Sequence, residues 1–314
     1  MGQSVRYGGA LSFFFRRTAE DYYFLPFFRV SVALLFLVHW CATCTDFHLL
    51  YGRHGILASD LAELFKESWI PSFNQVSQLL TRAVGTTEAT SILLFHALAV
   101  GGSLLLGLGF FARPAAILLL IMHLTLAKGS YMYAYGIDYF KTIALFYCCL
   151  FPVGAQWSVD SRRSHADPSE VNPTPFRRVL QLHLSIVYFF SGLDKALGYN
   201  WWNGEAVWKA IHLPYNKTAL GSMLTPLASW PWLWAAMGWA VVLIELCYPA
   251  FIFPRRTRIV WLSLTVLMHV GVMFFLNLPY FGMLMIILNL SAFLDLRKRE
   301  PLSASRKGNL RNWH

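Results

Sequence analysis

Charged side chains are scarce in this sequence, and the scarcity excludes an ordinary soluble protein. Asp, Glu, Lys and Arg make up 13% of the 314 residues, hydrophobic residues make up 56%, and the mean hydropathy is +0.47. Ordinary soluble domains contain about 25% charged residues. The formal charge of +10 does not predict nucleic-acid binding, because the basic residues lie in short clusters between apolar runs, which is a signal of membrane topology.

Cysteine is also scarce, and its placement excludes a disulfide framework. Cys41 and Cys44 have the spacing of a redox or metal motif, but no second pair accompanies them. We interpret the cysteines as small apolar residues of helices. Zinc needs three or four clustered ligands, and the spacing of His and Cys offers no such cluster, so no metal site is predicted. The five cysteines are Cys41, Cys44, Cys148, Cys149 and Cys247.

The sequence has no convincing cleavable signal peptide, because its first long apolar run continues into further protein. We interpret that run as an uncleaved first span. A bilayer core of about 30 Å requires about 20 apolar residues in a helix. The sequence predicts an all-α integral membrane protein with about eight transmembrane helices. These lie at about residues 27–47, 89–111, 115–127, 137–156, 179–197, 230–253, 259–276 and 281–294.

The basic clusters predict the topology. They occur before the first apolar run and after the second, fourth, sixth and eighth runs. An even number of spans places them all on one side, and the positive-inside bias makes that side the cytoplasm. We therefore predict a cytoplasmic N-terminal segment at residues 1–26, a transmembrane domain at 27–296 and a flexible basic cytoplasmic tail at 297–314. The lipid bilayer is the predicted partner.

The two halves of the chain look alike, which indicates a weak four-plus-four internal repeat. The third span contains His123 and the seventh contains His269, each directly after a methionine. An amphipathic segment follows the first span at about residues 57–80 and the fifth span at about 205–213. We expect both segments to lie on the outer face of the membrane. Repeats of this kind often place a binding site at their interface.

Ionisable residues inside the apolar runs are site candidates, because such groups are expected to face the bundle interior and to find partners. Asp138 and Lys141 lie one helical turn apart and are expected to pair. Glu245 lies within the sixth run and needs a partner or a proton there. Lys195 fits two roles, a neutral base or an interfacial anchor beside Asp194. Five histidines fit either packing or functional roles: His39, His96, His123, His183 and His269.

One segment resembles a motif of a known family. Residues 188–197, with the sequence YFFSGLDKAL, and residues 202–204 resemble a motif of the vitamin K-dependent γ-carboxylases, which the wider HTTM (horizontally transferred transmembrane) family of bacteria shares. Residues 130–136 and 157–160 look like a second block of that family, and 268–269 like a third. The resemblance covers nearly the whole chain and implies a bacterial inner-membrane protein with a carboxylase-like core.

The resemblance also implies roles for individual residues. Lys195 matches the lysine taken to deprotonate reduced vitamin K in the carboxylases, and His269 matches a histidine of their seventh span, so both are expected to be catalytic. A quinone cofactor of the vitamin K hydroquinone type and a peptide or lipid substrate are then expected at the outer face. The residues expected around the cavity are Glu245, Asp194, Tyr131, Tyr133, His123 and Trp202.

Two positions differ from the carboxylase pattern. Gly129 replaces a histidine, and Asp194 replaces a lysine beside Lys195. An acidic neighbour favours the ammonium form of a lysine, which opposes a role as a neutral base. Two other functions therefore stay open. One is a factor similar to sporulation-delaying protein B, for maturation of a secreted peptide toxin. The other is a non-catalytic membrane scaffold in which Lys195 is an anchor.

Overall fold

The structure is a computed structural model, and it describes residues 9–16, 21–56, 59–65, 69–129, 134–164, 170–214 and 216–295. Its regular structure is helical, with no strand among these residues. The predicted all-α class is therefore confirmed. Tyr131, Tyr133 and the tail at 297–314 lie outside the described residues.

The first half places short connecting helices between its first long helix and three further ones. The first long helix is α2, and α6, α7 and α8 pack in succession, with α6 also packed on α2. The bounds are α1 (Gly9–Phe15), α2 (Phe24–Thr43), α3 (Phe47–Tyr51), α4 (Ser59–Leu64), α5 (Phe73–Val84), α6 (Glu88–Leu108), α7 (Ala112–Gly129), α8 (Gly136–Leu150) and α9 (Val159–Arg163).

The second half has the same plan. Its long helices are α10, α14, α16 and α17, and short helices again follow the first of them. The bounds are α10 (Thr174–Leu197), α11 (Tyr199–Trp202), α12 (Glu205–His212), α13 (Ala219–Met223), a 3-10 helix (Thr225–Ser229), α14 (Pro231–Leu246), α15 (Tyr248–Ile252), α16 (Arg255–Phe275) and α17 (Pro279–Phe293).

Among the described residues, four helices are long and apolar enough to cross a membrane: α2, α6, α7 and α16. The helices α14 and α17 are apolar but shorter, and α8 has 15 residues. The helix α10 is long, with 24 residues, but it carries two arginines, an aspartate and a lysine. These helices agree with a membrane protein, while the count of eight spans stays a prediction.

The sixth predicted span, at residues 230–253, is interrupted rather than continuous. Helices α14 and α15 are separated by Cys247. Pro249 follows Glu245 by four residues and has no N–H to donate to the Glu245 carbonyl, so the ladder of helical hydrogen bonds breaks here. The break leaves Glu245 buried at the end of a helix in the interior of the bundle.

The amphipathic segments are helical, as predicted, but the first is divided in two. Residues 57–80 contain α4 and most of α5. Helix α5 begins with a capping box, in which the Ser72 hydroxyl accepts from the Gln75 N–H and the Gln75 side chain accepts from the Ser72 N–H. Phe73 and Ile211 anchor α5 and α12 respectively to the protein interior. Their position on the outer membrane face stays a prediction.

Matching arginine contacts support the internal repeat. Arg29, near the start of α2, donates to three backbone carbonyls in the segment 153–157 just after α8, at 2.7, 3.0 and 2.6 Å. Arg177, near the start of α10, donates to two carbonyls at the end of α17, at 2.8 and 3.0 Å. We call these two sets of contacts the arginine clasps. Each clasp ties the first long helix of a half to the end of the fourth.

Helix α17 joins the two halves. It packs on α10 and α16 of its own half and on α2 and α8 of the other. A second link is the 2.6 Å hydrogen bond between the Tyr147 hydroxyl on α8 and His183 Nδ1 on α10. The interior of the protein is therefore shared between the halves, and polar residues on α17 can take part in either one.

Candidate functional site

Lys195 and Glu245 form an ion pair between α10 and α14. Lys195 Nζ lies 2.7 Å from Glu245 Oε2 and 2.6 Å from the Ser191 hydroxyl, one turn earlier on α10. The side chains of Lys195 and Glu245 are 21% and 9% exposed. The ammonium also lies 5.4 Å from the centre of the Trp201 ring, within range of a cation–π interaction. Glu245 is thus nearly buried, Lys195 is partly exposed, and the ammonium has two close hydrogen-bond partners.

Gly192 explains why the two helices meet closely enough for this pair. A Cβ atom at Gly192 would lie 2.5 Å from the Leu246 backbone nitrogen and 2.8 Å from its Cα. Only a residue without a side chain fits at this helix crossing. Lys195 follows Gly192 by three residues, so the crossing brings its ammonium to the Glu245 carboxylate at the end of α14.

A second group of polar side chains lies nearer the start of α10, on the same face of the helix as Lys195. Tyr188 precedes Lys195 by seven residues, which is two helical turns. Its hydroxyl lies 2.7 Å from His269 Nε2 on α16 and 2.7 Å from the Asn289 amide nitrogen on α17. The Tyr248 hydroxyl on α15 donates to Asn289 Oδ1 at 2.7 Å. Tyr188, Tyr248, His269 and Asn289 are all buried.

The direction of these hydrogen bonds fixes the tautomer of a neutral His269. The Met285 carbonyl can only accept, so the Asn289 group 2.8 Å away is the NH2. That NH2 also donates to the Tyr188 hydroxyl, which is left to donate its own proton to His269 Nε2. His269 then carries its proton on Nδ1. This nitrogen is buried and has no hydrogen-bond partner among the described residues.

The other predicted site residues have different surroundings. Asp194 is exposed. Trp202 is 45% exposed, and its Nε1 donates to the Ala196 carbonyl at 2.7 Å, so the indole caps the end of α10. Gly129 packs against Ser72, since a Cβ there would lie 2.7 Å from the Ser72 Cα. His123 belongs to a separate cluster in the first half.

That separate cluster contains the second lysine–carboxylate pair. Lys141 Nζ lies 3.3 Å from Asp138 Oδ1 and 3.3 Å from His39 Nε2, which confirms the predicted pairing of Asp138 with Lys141. His123 Nε2 lies 3.0 Å from the Asp138 backbone carbonyl. A cavity of about 100 Å³ lies among these side chains and is also lined by Tyr280 of α17.

Sequence reasoning missed several members of the site. Tyr248 and Asn289 were not distinguished from packing residues, and Tyr188 and Ser191 were singled out only as part of the motif at residues 188–197, without a role of their own. Asn289 had a usable signal, because it is a lone amide in the apolar run of α17 and such a group is expected to find a partner. Within the described residues, no group of three or more His, Cys, Asp or Glu side chains is placed to hold a metal ion.

The comparisons with known proteins identify a family. The model of the HTTM domain matches residues 56–295. This range covers well over half of the chain and includes Lys195, Glu245, His269 and the Asp138–Lys141 pair. No curated protein and no solved structure matches the chain. The chain therefore belongs to the HTTM domain family.

Proposed function

We propose that this HTTM protein is a membrane enzyme with a carboxylase-like core, which removes a proton from an apolar molecule of the quinone class. The observation that carries the proposal is the shielded Lys195–Glu245 pair, 2.7 Å apart. The site would lie towards the outer side of a bacterial plasma membrane, with both termini in the cytoplasm. A peptide or lipid would be the second substrate.

The pair offers a way for Lys195 to act as a base despite its carboxylate partner. Removing two charges from water is costly, so an ion pair that is largely shielded from water loses part of its advantage over the neutral pair. Transfer of one proton from Lys195 Nζ to Glu245 Oε2 gives a neutral amine and a carboxylic acid. The amine can then accept a proton from a bound weak acid, while Glu245 keeps the transferred proton. Glu245 is thus a proton acceptor rather than only a structural partner.

The donors at the site fit a quinone-type group. The buried Nδ1–H of His269 lacks an acceptor, and a carbonyl or hydroxyl oxygen would supply one once the side chains around it move apart. The ring of Trp201 beside Lys195 offers an aromatic surface. Lys195 and His269 would hold the oxygen atoms of the group. When bound, a reduced quinone supplies a weakly acidic hydroxyl and two electrons. The network of Tyr248, Asn289 and Tyr188 keeps the His269 proton on Nδ1, which leaves this nitrogen free to donate.

The test uses the full-length protein in detergent, in air-saturated buffer, with a short-chain naphthoquinol as the probe and dissolved dioxygen as its two-electron acceptor. Lys195→Met and Glu245→Gln are compared with Lys209→Met, which removes an exposed lysine whose partner is Glu205 at 2.6 Å. We expect both site variants to lower the rate of naphthoquinol oxidation by about 10² or more, since a positioned base contributes about 10²–10⁴. Lys209→Met should retain the wild-type rate.

Copurifying molecules give a second readout. Mass spectrometry of lipids and quinones bound to the purified wild-type protein should find a quinone that Lys195→Met retains poorly. Equal quinone content and equal turnover in wild type and Lys195→Met would contradict the assignment of the site. A peptide that copurifies without any quinone would instead favour a role in peptide maturation.

A further inference from the structure

The turn between α6 and α7 lies at the surface of the membrane. Both helices are long and apolar enough to cross a membrane, and only residues 109–111 connect them. An exposed turn of this kind does not occur within the hydrocarbon region, because lipid tails cannot satisfy its backbone polar groups. The turn is therefore level with the lipid headgroups, on the side predicted to be cytoplasmic.

Helix α9 is fixed to this turn by Asp160. The Asp160 carboxylate accepts from two backbone N–H groups at the start of α7, at 2.9 and 2.8 Å, and the Asp160 N–H donates to the Gly109 carbonyl at 2.9 Å. These contacts bring the end of α9 to the aromatic rings of the turn. The Arg163 guanidinium lies 5.3 Å from the centre of the Phe110 ring and 5.8 Å from that of Phe111, within range of a cation–π interaction.

Arg113, in the first turn of α7, adds a second guanidinium beside the same turn. Its Nε donates to the Cys149 carbonyl at the end of α8, at 3.0 Å, which leaves the four N–H donors of its two terminal nitrogens. Arg113 and Arg163 are both exposed, and neither forms an ion pair with a carboxylate of the described residues. Two guanidiniums with unused donors suit a phosphate group, whose oxygens an arginine binds in pairs.

Exposed apolar side chains lie beside these charges. Leu108 ends α6, Phe111 precedes α7 and Leu150 ends α8, and all three are more than half exposed. Apolar surface is unfavourable in water, whereas the acyl chains of a lipid would cover it. A ligand that combines a phosphate with apolar chains therefore matches both the arginines and the side chains next to them.

We propose that the α6–α7 turn and α9 form a binding site for an anionic phospholipid, of which phosphatidylglycerol is an example. Arg113 and Arg163 hold the phosphate, and the acyl chains lie against Leu108, Phe111 and Leu150. The contacts of Asp160 hold both arginines beside the turn before the lipid arrives. The site shares no residue with the site of the proposed function and does not depend on it.

The experiment measures the melting temperature of the full-length protein in a non-ionic detergent while short-chain phosphatidylglycerol is added. A ligand that binds only the folded state raises the melting temperature along a saturating curve. We expect phosphatidylglycerol to bind more tightly than phosphatidylcholine of the same chain length, which has the same phosphate but no net charge. Arg113→Gln and Arg163→Gln should each weaken the apparent affinity for phosphatidylglycerol by about fivefold, and the double variant by about 25-fold.

The matched control is Arg256→Gln, which removes an exposed arginine at the start of α16 and should keep the wild-type affinity within about twofold. Weakening by Arg256→Gln as large as that by Arg163→Gln would overturn the proposal, because binding would then follow total charge. Equal affinities for phosphatidylglycerol and phosphatidylcholine, or unchanged affinities in the Arg113 and Arg163 variants, would also overturn it. Saturation by inorganic phosphate as tight as that by phosphatidylglycerol would show a site for a free anion instead of a lipid.

Discussion

Substitution of Gly192 by alanine tests whether the helix crossing creates the lysine–glutamate pair. The new Cβ would lie 2.5 Å from the Leu246 backbone nitrogen. The Leu246 nitrogen and the Leu246 Cα, at 2.8 Å, are both backbone atoms of α14. Neither atom can move out of the way as a flexible side chain would. The two helices must separate by about 1 Å to restore an ordinary contact. Lys195, three residues further along α10, would move away from Glu245 with its helix.

The expected magnitude follows from two opposing effects. Overpacking of a tightly packed site costs about 1–3 kcal/mol, and backbone atoms as neighbours place Gly192 at the upper end of that range. Alanine gains about 1 kcal/mol over glycine within a helix. The net loss of unfolding free energy is therefore about 1–2 kcal/mol. A separation of about 1 Å also stretches the 2.7 Å contact between Lys195 and Glu245 beyond hydrogen-bond length.

Gly101→Ala is the matched control, because a Cβ at Gly101 of α6 meets nothing within 4 Å. This variant should gain about 1 kcal/mol, so the two alanine variants should differ by about 2–3 kcal/mol. That difference corresponds to roughly 3–5 °C in melting temperature in detergent. Introducing Glu245→Gln into each background measures the pair directly. The added substitution should destabilise the Gly101→Ala protein much more than the Gly192→Ala protein. Equal melting temperatures for Gly192→Ala and Gly101→Ala would refute the reasoning.

Three further substitutions test the other contacts of the interior. Lys195→Met leaves the Glu245 carboxylate unpaired and should lower the free energy of unfolding in denaturant by about 3–5 kcal/mol. The double variant Lys195→Met with Glu245→Leu should recover most of that loss. A double variant as unstable as Lys195→Met alone would contradict the pairing. Tyr188→Phe interrupts the hydrogen bonds to His269 and should cost about 1–3 kcal/mol, and a thermal unfolding curve identical to wild type would show that the network adds nothing. In Arg29→Lys, a single ammonium cannot reach all three carbonyls, so the melting temperature in detergent should fall by several degrees. An unchanged melting temperature would show that the clasp at Arg29 is dispensable.

Among the described residues, the sequence singled out two of the five buried charged side chains, Lys141 and Glu245, but not Asp21, Arg29 and Arg177. It also missed most of the partners of the charged residues. Lys195 and Glu245 were both candidates because ionisable groups in apolar runs are costly. Their pairing depends on a helix crossing set by Gly192, which no spacing along the chain reveals. Asp138 and Lys141 lie within one turn of one helix, so their pairing followed from spacing alone.

The histidines show the same limit. His123 and His269 occupy matching places in the two halves, and the repeat suggested one shared site. The structure places His123 against the Asp138 carbonyl and His269 against Tyr188, because each half encloses its own polar group. The break before α15 had a readable cause in Pro249, since a proline within an apolar run interrupts helical hydrogen bonding.

The arginine clasps also show which end of each half is held together by buried hydrogen bonds. Arg29 and Arg177 each bind the carbonyls at the end of a fourth helix, and separating those contacts would leave buried donors and acceptors unpaired at the same moment. Lys141 and Lys195 lie towards the opposite ends of α8 and α10, where short helices and loops connect the long ones. In each half, the arginine thus ties the first and fourth long helices together at one end, and the lysine lies nearer the other end. Opening of a half at the end that holds its lysine would therefore break fewer buried hydrogen bonds than opening at the end that holds its arginine.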